Sequence, residues 1–134
     1  MGMYTELSID AEIVNDKEVI QKLQFMLKDS DEDIKINHPL FNTERWEHML
    51  ICDSSYFDSQ TDSNLYKNDS MYFLHILCNF KNYDNEINLF LDWLCPYIIT
   101  EGLLGYTRYE MNYDPTYIYK ENGKIVFKNI DEEE

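Results

Sequence analysis

The sequence predicts an α+β fold, a mostly antiparallel sheet with two helices on one face, arranged as a ferredoxin-like βαββαβ core plus a C-terminal β-hairpin. Three observations carry this. Residues 5–13 alternate, with Thr5, Leu7, Ile9, Ala11 and Ile13 on one face and Glu6, Ser8, Asp10 and Glu12 on the other, the signature of a half-buried strand. Residues 71–94 begin as an apolar, aromatic run and then change to helical spacing at Ile87, Phe90, Leu91 and Leu94, so a central strand feeds a covering helix. Near the C-terminus, Asn122-Gly123 separates two β-rich runs, the strongest short hairpin signal in the chain.

In chain order, the first strand is followed by Asn15 with Glu18 three residues on, an approximate capping box, and by the stripe Val19, Ile20, Leu23, Met26 and Leu27 of a first helix. Residues 29–33 are an acidic loop. His38-Pro39 then holds residue 38 out of the helical region. In residues 41–46, Asn42 or Thr43 can cap a short turn that seats Phe41 and Trp46 on the core. Residues 47–53 alternate weakly and are expected as a second strand, and residues 53–69 as a long, polar, partly ordered connection. The central strand and second helix follow, and Pro96 ends that helix near residues 92–95. Gly102 and Gly105 bracket a turn, residues 106–112 form an aromatic-rich strand, and Asp114-Pro115 breaks it before the hairpin. Residues 1–130 thus form one α+β domain and residues 131–134 an acidic tail. The helices would cover Leu7, Ile9, Leu74 and Ile76, leaving Glu6, Asp10, Glu12 and His75 on the other face. Phe73 and Leu77 share that face, and a homodimer would follow if it is more apolar than its acids suggest.

A chain of 134 residues suits one core, and 44% hydrophobic with 15% aromatic content supplies it. Eleven basic residues against 26 acidic ones give a net charge of −15, a field that repels nucleic acid and anionic membranes. Such a surface is ordinary solubility on one reading and attraction for a basic partner on the other. Cys52, Cys78 and Cys95 are odd in number and lack CxxC spacing, and no signal-like N-terminus precedes them, so they read as reduced core residues of a cytoplasmic protein. No apolar run is long enough to span a membrane.

Chemistry-bearing motifs are sparse. His48, His75 and Cys52 could approach one another, but the ligands are too few for a metal, and hydrogen-bonded histidines are the better account. No catalytic residue, metal or cofactor is assigned: no Gly-rich phosphate loop occurs, and nothing lowers a cysteine pKa. Arg45, Lys81 and Arg108 each lie beside aromatics. Their stems can pack on rings while their heads pair with acids, or, with Trp46 and Tyr109, they can form a pocket for an anionic, nucleotide-like molecule.

The segments FNTERWEHML, CNFKNYDNEINLFLDWLCPYI and GYTRYE with PTYIY resemble a family of small uncharacterised phage and mobile-element proteins. The resemblance implies a context, that of an inhibitor of a host system, and carries no functional residue. The leading expectation is a non-enzymatic, phage-type anti-defence inhibitor in the host cytoplasm, similar in role to anti-CRISPR proteins. It would bind a basic nucleic-acid-handling protein and compete with DNA or RNA through Glu6, Asp10 and Glu12 on the sheet and Asp53, Asp58 and Asp62 in the long loop. The alternatives are a nucleotide sponge using the basic cluster and an immunity protein for a nuclease toxin.

Overall fold

In the computed structural model, which describes residues 4–52, 61–82, 84–110 and 114–129, the chain is an α+β protein built on one six-stranded antiparallel sheet. The elements are β1 (Thr5–Ile13), α1 (Lys17–Met26), β2 (Asn64–Asn68), β3 (Met71–Phe80), α2 (Glu86–Leu94), β4 (Gly102–Tyr109), β5 (Thr116–Glu121) and β6 (Lys124–Asn129), with sheet order β2-β3-β1-β4-β5-β6. The four-stranded ferredoxin-like core with an attached hairpin is not matched. β5 and β6 hydrogen-bond onto β4 and continue the same sheet, because the hairpin turn and β4 keep them in antiparallel register.

The period-two pattern of β1 sets the layering. Leu7, Ile9, Ala11 and Ile13 lie opposite Cys78, Ile76, Leu74 and Tyr72 of β3, and the first three pairs are buried. These residues join the apolar stripes of α1 (Val19, Ile20, Leu23, Met26) and α2 (Ile87, Phe90, Leu91, Leu94) in one core. The strand residues in that core share one face, so the helices cover it and leave the other face open.

Helix starts are set by side chains, though not by the residue expected for α1. Asp16, rather than Asn15, is the N-cap, and its carboxylate accepts the amides of Glu18 and Val19, each at 3.1 Å. At α2, Asn85 sits in the left-handed region at φ 62°, and the Asn82 amide oxygen accepts the Ile87 N–H at 3.0 Å. Helix α2 stops at Leu94, and Pro96 lies in a following 3₁₀ turn, Cys95–Tyr97.

Three expectations on the middle of the chain are corrected. The strand expected over 47–53 is not formed by the described residues 47–52: Trp46–Ile51 is a 3₁₀ helix burying Trp46, Met49 and Leu50, whose spacing of three and four residues suits a helical turn. His48 therefore lies on that turn rather than beside His75 on a strand. The second strand is instead β2, inside the presumed connection, as a mostly exposed edge paired to β3. A preceding 3₁₀ turn, Pro39–Asn42, is capped by the His38 ring accepting the Leu40 N–H at 3.1 Å, while Thr43 Oγ1 donates to the Leu40 carbonyl at 2.7 Å.

Gly102 to Gly105 is not a turn but the start of β4, with a bulge between Leu103 and Gly105 that turns Leu104 into the core. Gly105 is required by close approach, since a Cβ there would stand 1.8 Å from the Ser8 carbonyl oxygen. The strand expected over residues 106–112 ends at Tyr109, with Glu110 in a turn, and residues 111 and 112 lie outside the described residues. The hairpin is as expected: Asn122 at φ 54° and Gly123 at φ 77° form the two-residue loop between β5 and β6.

Candidate functional site

The open face of the sheet is acidic and aromatic at the β2-β3-β1 end. Antiparallel register brings Asp10 opposite His75 and Glu12 opposite Phe73, while Phe73 in turn faces Tyr66 on β2. Tyr66 and Phe73 stack with centroids 5.5 Å apart and planes inclined at 23°. Tyr66 is 53% exposed although it is part of this stack. The rings form one wall of a depression of about 220 Å³ that Asp10, Glu12 and Thr100 also line. Thr100 is fixed there by its Oγ1, which accepts the Glu12 N–H at 2.9 Å. Ile99, adjacent in the chain, is 48% exposed and donates its N–H to the Glu12 carbonyl at 2.8 Å.

His75 organises the acids around it. Asp10 Oδ1 lies 2.6 Å from Nδ1, and Asp62 Oδ2 lies 3.4 Å from Nε2. Both carboxylates remain about 70% exposed. Asp62 is further held by its own N–H, which donates to the Leu77 carbonyl at 2.8 Å. The imidazole thus fixes two surface carboxylates in place without neutralising the patch as a whole, because Glu12 lies on the same face. Among the described residues no group of three His, Cys, Asp or Glu side chains is arranged to hold a metal ion. The carboxylates here lie on opposite ring nitrogens of one histidine, which is a hydrogen-bonding geometry and not a chelating one.

Farther along β1 the face changes character. Glu6 is only 4% exposed: the Tyr106 hydroxyl donates to its Oε1 at 3.1 Å, and Arg108 Nε stands 3.7 Å from the same oxygen. Burial, then the Glu6 charge and its hydrogen bond, push the Tyr106 phenol above its ordinary pKa, with Arg108 opposing them. On the covered face Cys78 is fully buried, and burial, followed by the neighbouring Cys52 and Glu6, pushes its thiol far up. That thiol is held as an inert core group.

Of the acids named from the sequence, Asp10, Glu12 and Asp62 are therefore brought together, whereas Glu6 is taken into an internal ion pair with Arg108. Asp53 and Asp58 lie outside the described residues. The basic cluster is not assembled as one pocket among the described residues. Trp46 is buried in the helical layer, its ring 5.9 Å from Phe25 and 4.9 Å from Phe41, and Arg45 leads into its 3₁₀ turn. Arg108 lies across the sheet against Glu6, Tyr109 sits opposite Thr5 on the covered side of β4, and Lys81 Nζ lies 5.3 Å from the Tyr4 ring. Tyr66 falls in the connection expected over residues 53–69, and its pairing with Phe73 depends on the existence and register of β2.

Comparison with family models, curated proteins and solved structures finds no match for this chain.

Proposed function

We propose that this chain is a non-enzymatic binding protein that inhibits a basic, nucleic-acid-handling protein by occupying its nucleic-acid channel. The observation that carries the reading is the pair of exposed carboxylates, Asp10 and Asp62, held on either side of His75 next to the exposed Tyr66–Phe73 stack. Fixed acids steer and orient a basic surface, and a flat aromatic pair supplies contact area at little entropic cost. Glu12 beside the stack extends the acidic strip. The net charge of −15 adds long-range attraction and disfavours direct binding of DNA or RNA by the chain itself. A phage-type anti-defence role in a host cytoplasm, of the anti-CRISPR kind, is the setting that the sequence resemblance implies for such an inhibitor.

The test compares wild type with a variant carrying Asp10→Asn, Glu12→Gln and Asp62→Asn as bait in bacterial lysate, washed at low and then at high salt. The expected result is a DNA- or RNA-binding protein retained by wild type, released by salt and lost with the variant. Wild type added to that protein should then displace a labelled oligonucleotide. Retention of the same protein by the neutralised variant, or binding indifferent to salt, refutes the proposal.

A further inference from the structure

The opposite edge of the sheet carries a second surface of different chemistry. Among the described residues, strand β6 is the last in the order and hydrogen-bonds within the sheet to β5 alone. The helices do not cover its inner side: Phe127 is 39% exposed, and it lines, with Ile125, Cys95 and Pro96, a groove of about 410 Å³ between the end of α2 and the hairpin. Lys124 stands at the same groove.

The hairpin loop determines which backbone groups face outward. A two-residue loop makes its flanking residues, Glu121 and Lys124, a mutually hydrogen-bonded pair, and the pairing alternates from there. Val126 and Lys128 therefore turn their N–H and C=O groups to β5, whereas Ile125 and Phe127 turn theirs to the open edge. Both of these residues line the groove. Lys124, Val126 and Lys128 present their side chains on the opposite face.

We propose that the β6 edge is a docking site for an extended segment of a partner protein in which acidic and apolar residues alternate. Such a segment adds a seventh strand through Ile125 and Phe127. Its apolar side chains enter the groove beside Phe127, and its acidic ones lie beside Lys124 and Lys128. Charge complementarity selects this occupant. On the face opposite the groove, Lys124 and Lys128 stand with one acid, Glu121, which pairs with Lys128, in a chain of net charge −15; Lys120 is buried and donates to the Ile98 carbonyl. A second copy of the chain is disfavoured by the same lysines, because pairing β6 with β6 places like charges along one ribbon.

The experiment is a fluorescence-anisotropy titration of the full chain against a labelled, acetylated peptide of alternating Glu and Val. Expected are saturable binding that weakens with salt, no binding of the Lys-Val counterpart, and at least about tenfold loss with Lys124→Glu combined with Lys128→Glu. Ile125→Pro, which removes one outward N–H and spares the β5 ladder, should abolish binding. The same peptide N-methylated on alternate residues tests the backbone pairing without altering the protein, and it should not bind in at least one of the two methylation phases. Equal binding of the Glu-Val and Lys-Val peptides, tight binding of both methylated phases, absence of binding by wild type, or dimerisation of the free chain through β6 each overturns the proposal.

Discussion

Lys22 offers the sharpest test of how this fold is held together. Its side chain is 2% exposed in the middle of α1, with Nζ donating to Asp33 Oδ1 at 2.8 Å and to the Ile34 carbonyl at 2.6 Å. The same ammonium lies 4.4 Å from the Phe41 ring centroid and 4.2 Å from that of Trp46. Two unit charges about 4 Å apart at an effective dielectric of about 20 attract by about 4 kcal/mol. Asp33 is 41% exposed, so solvent screens much of this, and the net loss expected for Asp33→Asn is about 1–2 kcal/mol. Lys22→Met keeps the volume against both rings and removes the buried charge, leaving Asp33 free to hydrate, so its stability should fall within about 1 kcal/mol of wild type or rise. The double variant should behave like Lys22→Met alone, since the charge pair is already gone. Urea unfolding followed by tryptophan fluorescence is a direct readout, because Trp46 touches the ammonium and Trp93 packs 5.1 Å from Phe41. A neutral Asp33→Asn together with a loss above about 3 kcal/mol in Lys22→Met would show that the ammonium's contacts with the two rings and the Ile34 carbonyl, not the ion pair, hold the lysine.

Gly105→Ala should cost about 3 kcal/mol or more in the same assay, at or above the upper end for overpacking, because the new Cβ meets the backbone of β1 1.8 Å away and not a movable side chain. Gly123→Ala, with no atom near its Cβ but a φ of 77°, should cost only about 1 kcal/mol; equal losses would contradict the close-approach argument. For Tyr106, an unfolded chain loses the phenolic proton near pH 10 while the folded one keeps it to higher pH. Its contribution to stability is therefore complete below about pH 10 and is lost as pH rises through the folded pKa, so the urea midpoint should drop less between pH 9 and pH 11 in Tyr106→Phe than in wild type. Identical drops would mean that Glu6 and burial do not hold the phenol neutral.

How much of this was legible in sequence depended on burial. Strands β1 and β3 and both helices declare themselves because each has a face in the core, and burial imposes a period on the residues. The hairpin declares itself through Asn122-Gly123, whose conformation is local. Strand β2 has almost no buried face, so Asn64–Asn68 carries no periodic signal, and the weak alternation of residues 47–53 suggests a strand there instead. The clue there was Trp46, Met49 and Leu50 at helical spacing, outweighed by a weak alternation. The site suffered in the same way. That Asp10 would be exposed follows from the pattern of β1, but that His75 joins it to Asp62, or that Tyr66 stacks on Phe73, requires the register of three strands.

Several of the few cations of this chain are held inside the fold or against acids. Lys22 and Lys120 are both buried, the first against Asp33 and two aromatic rings, the second donating to the Ile98 carbonyl. Arg108 pairs with the buried Glu6, and Lys128 pairs with Glu121 at 2.8 Å. Carboxylates such as Asp10, Asp62 and Asp92 stay exposed, and the partner each has is a histidine. Lys22 and Lys120 are drawn inward and Lys124 and Lys128 lie on β6, while Lys17, Lys28, Lys35 and Lys67 stay exposed elsewhere and Asp10, Glu12 and Asp62 gather on the open face. On the two proposals the surfaces have opposite preferences, the open face for a basic partner and the β6 edge for an acidic strand. Neutralising Asp10, Glu12 and Asp62 should leave peptide binding at β6 intact, and Lys124→Glu with Lys128→Glu should leave capture by the open face intact. Loss of both activities in either variant would place them on one surface rather than two.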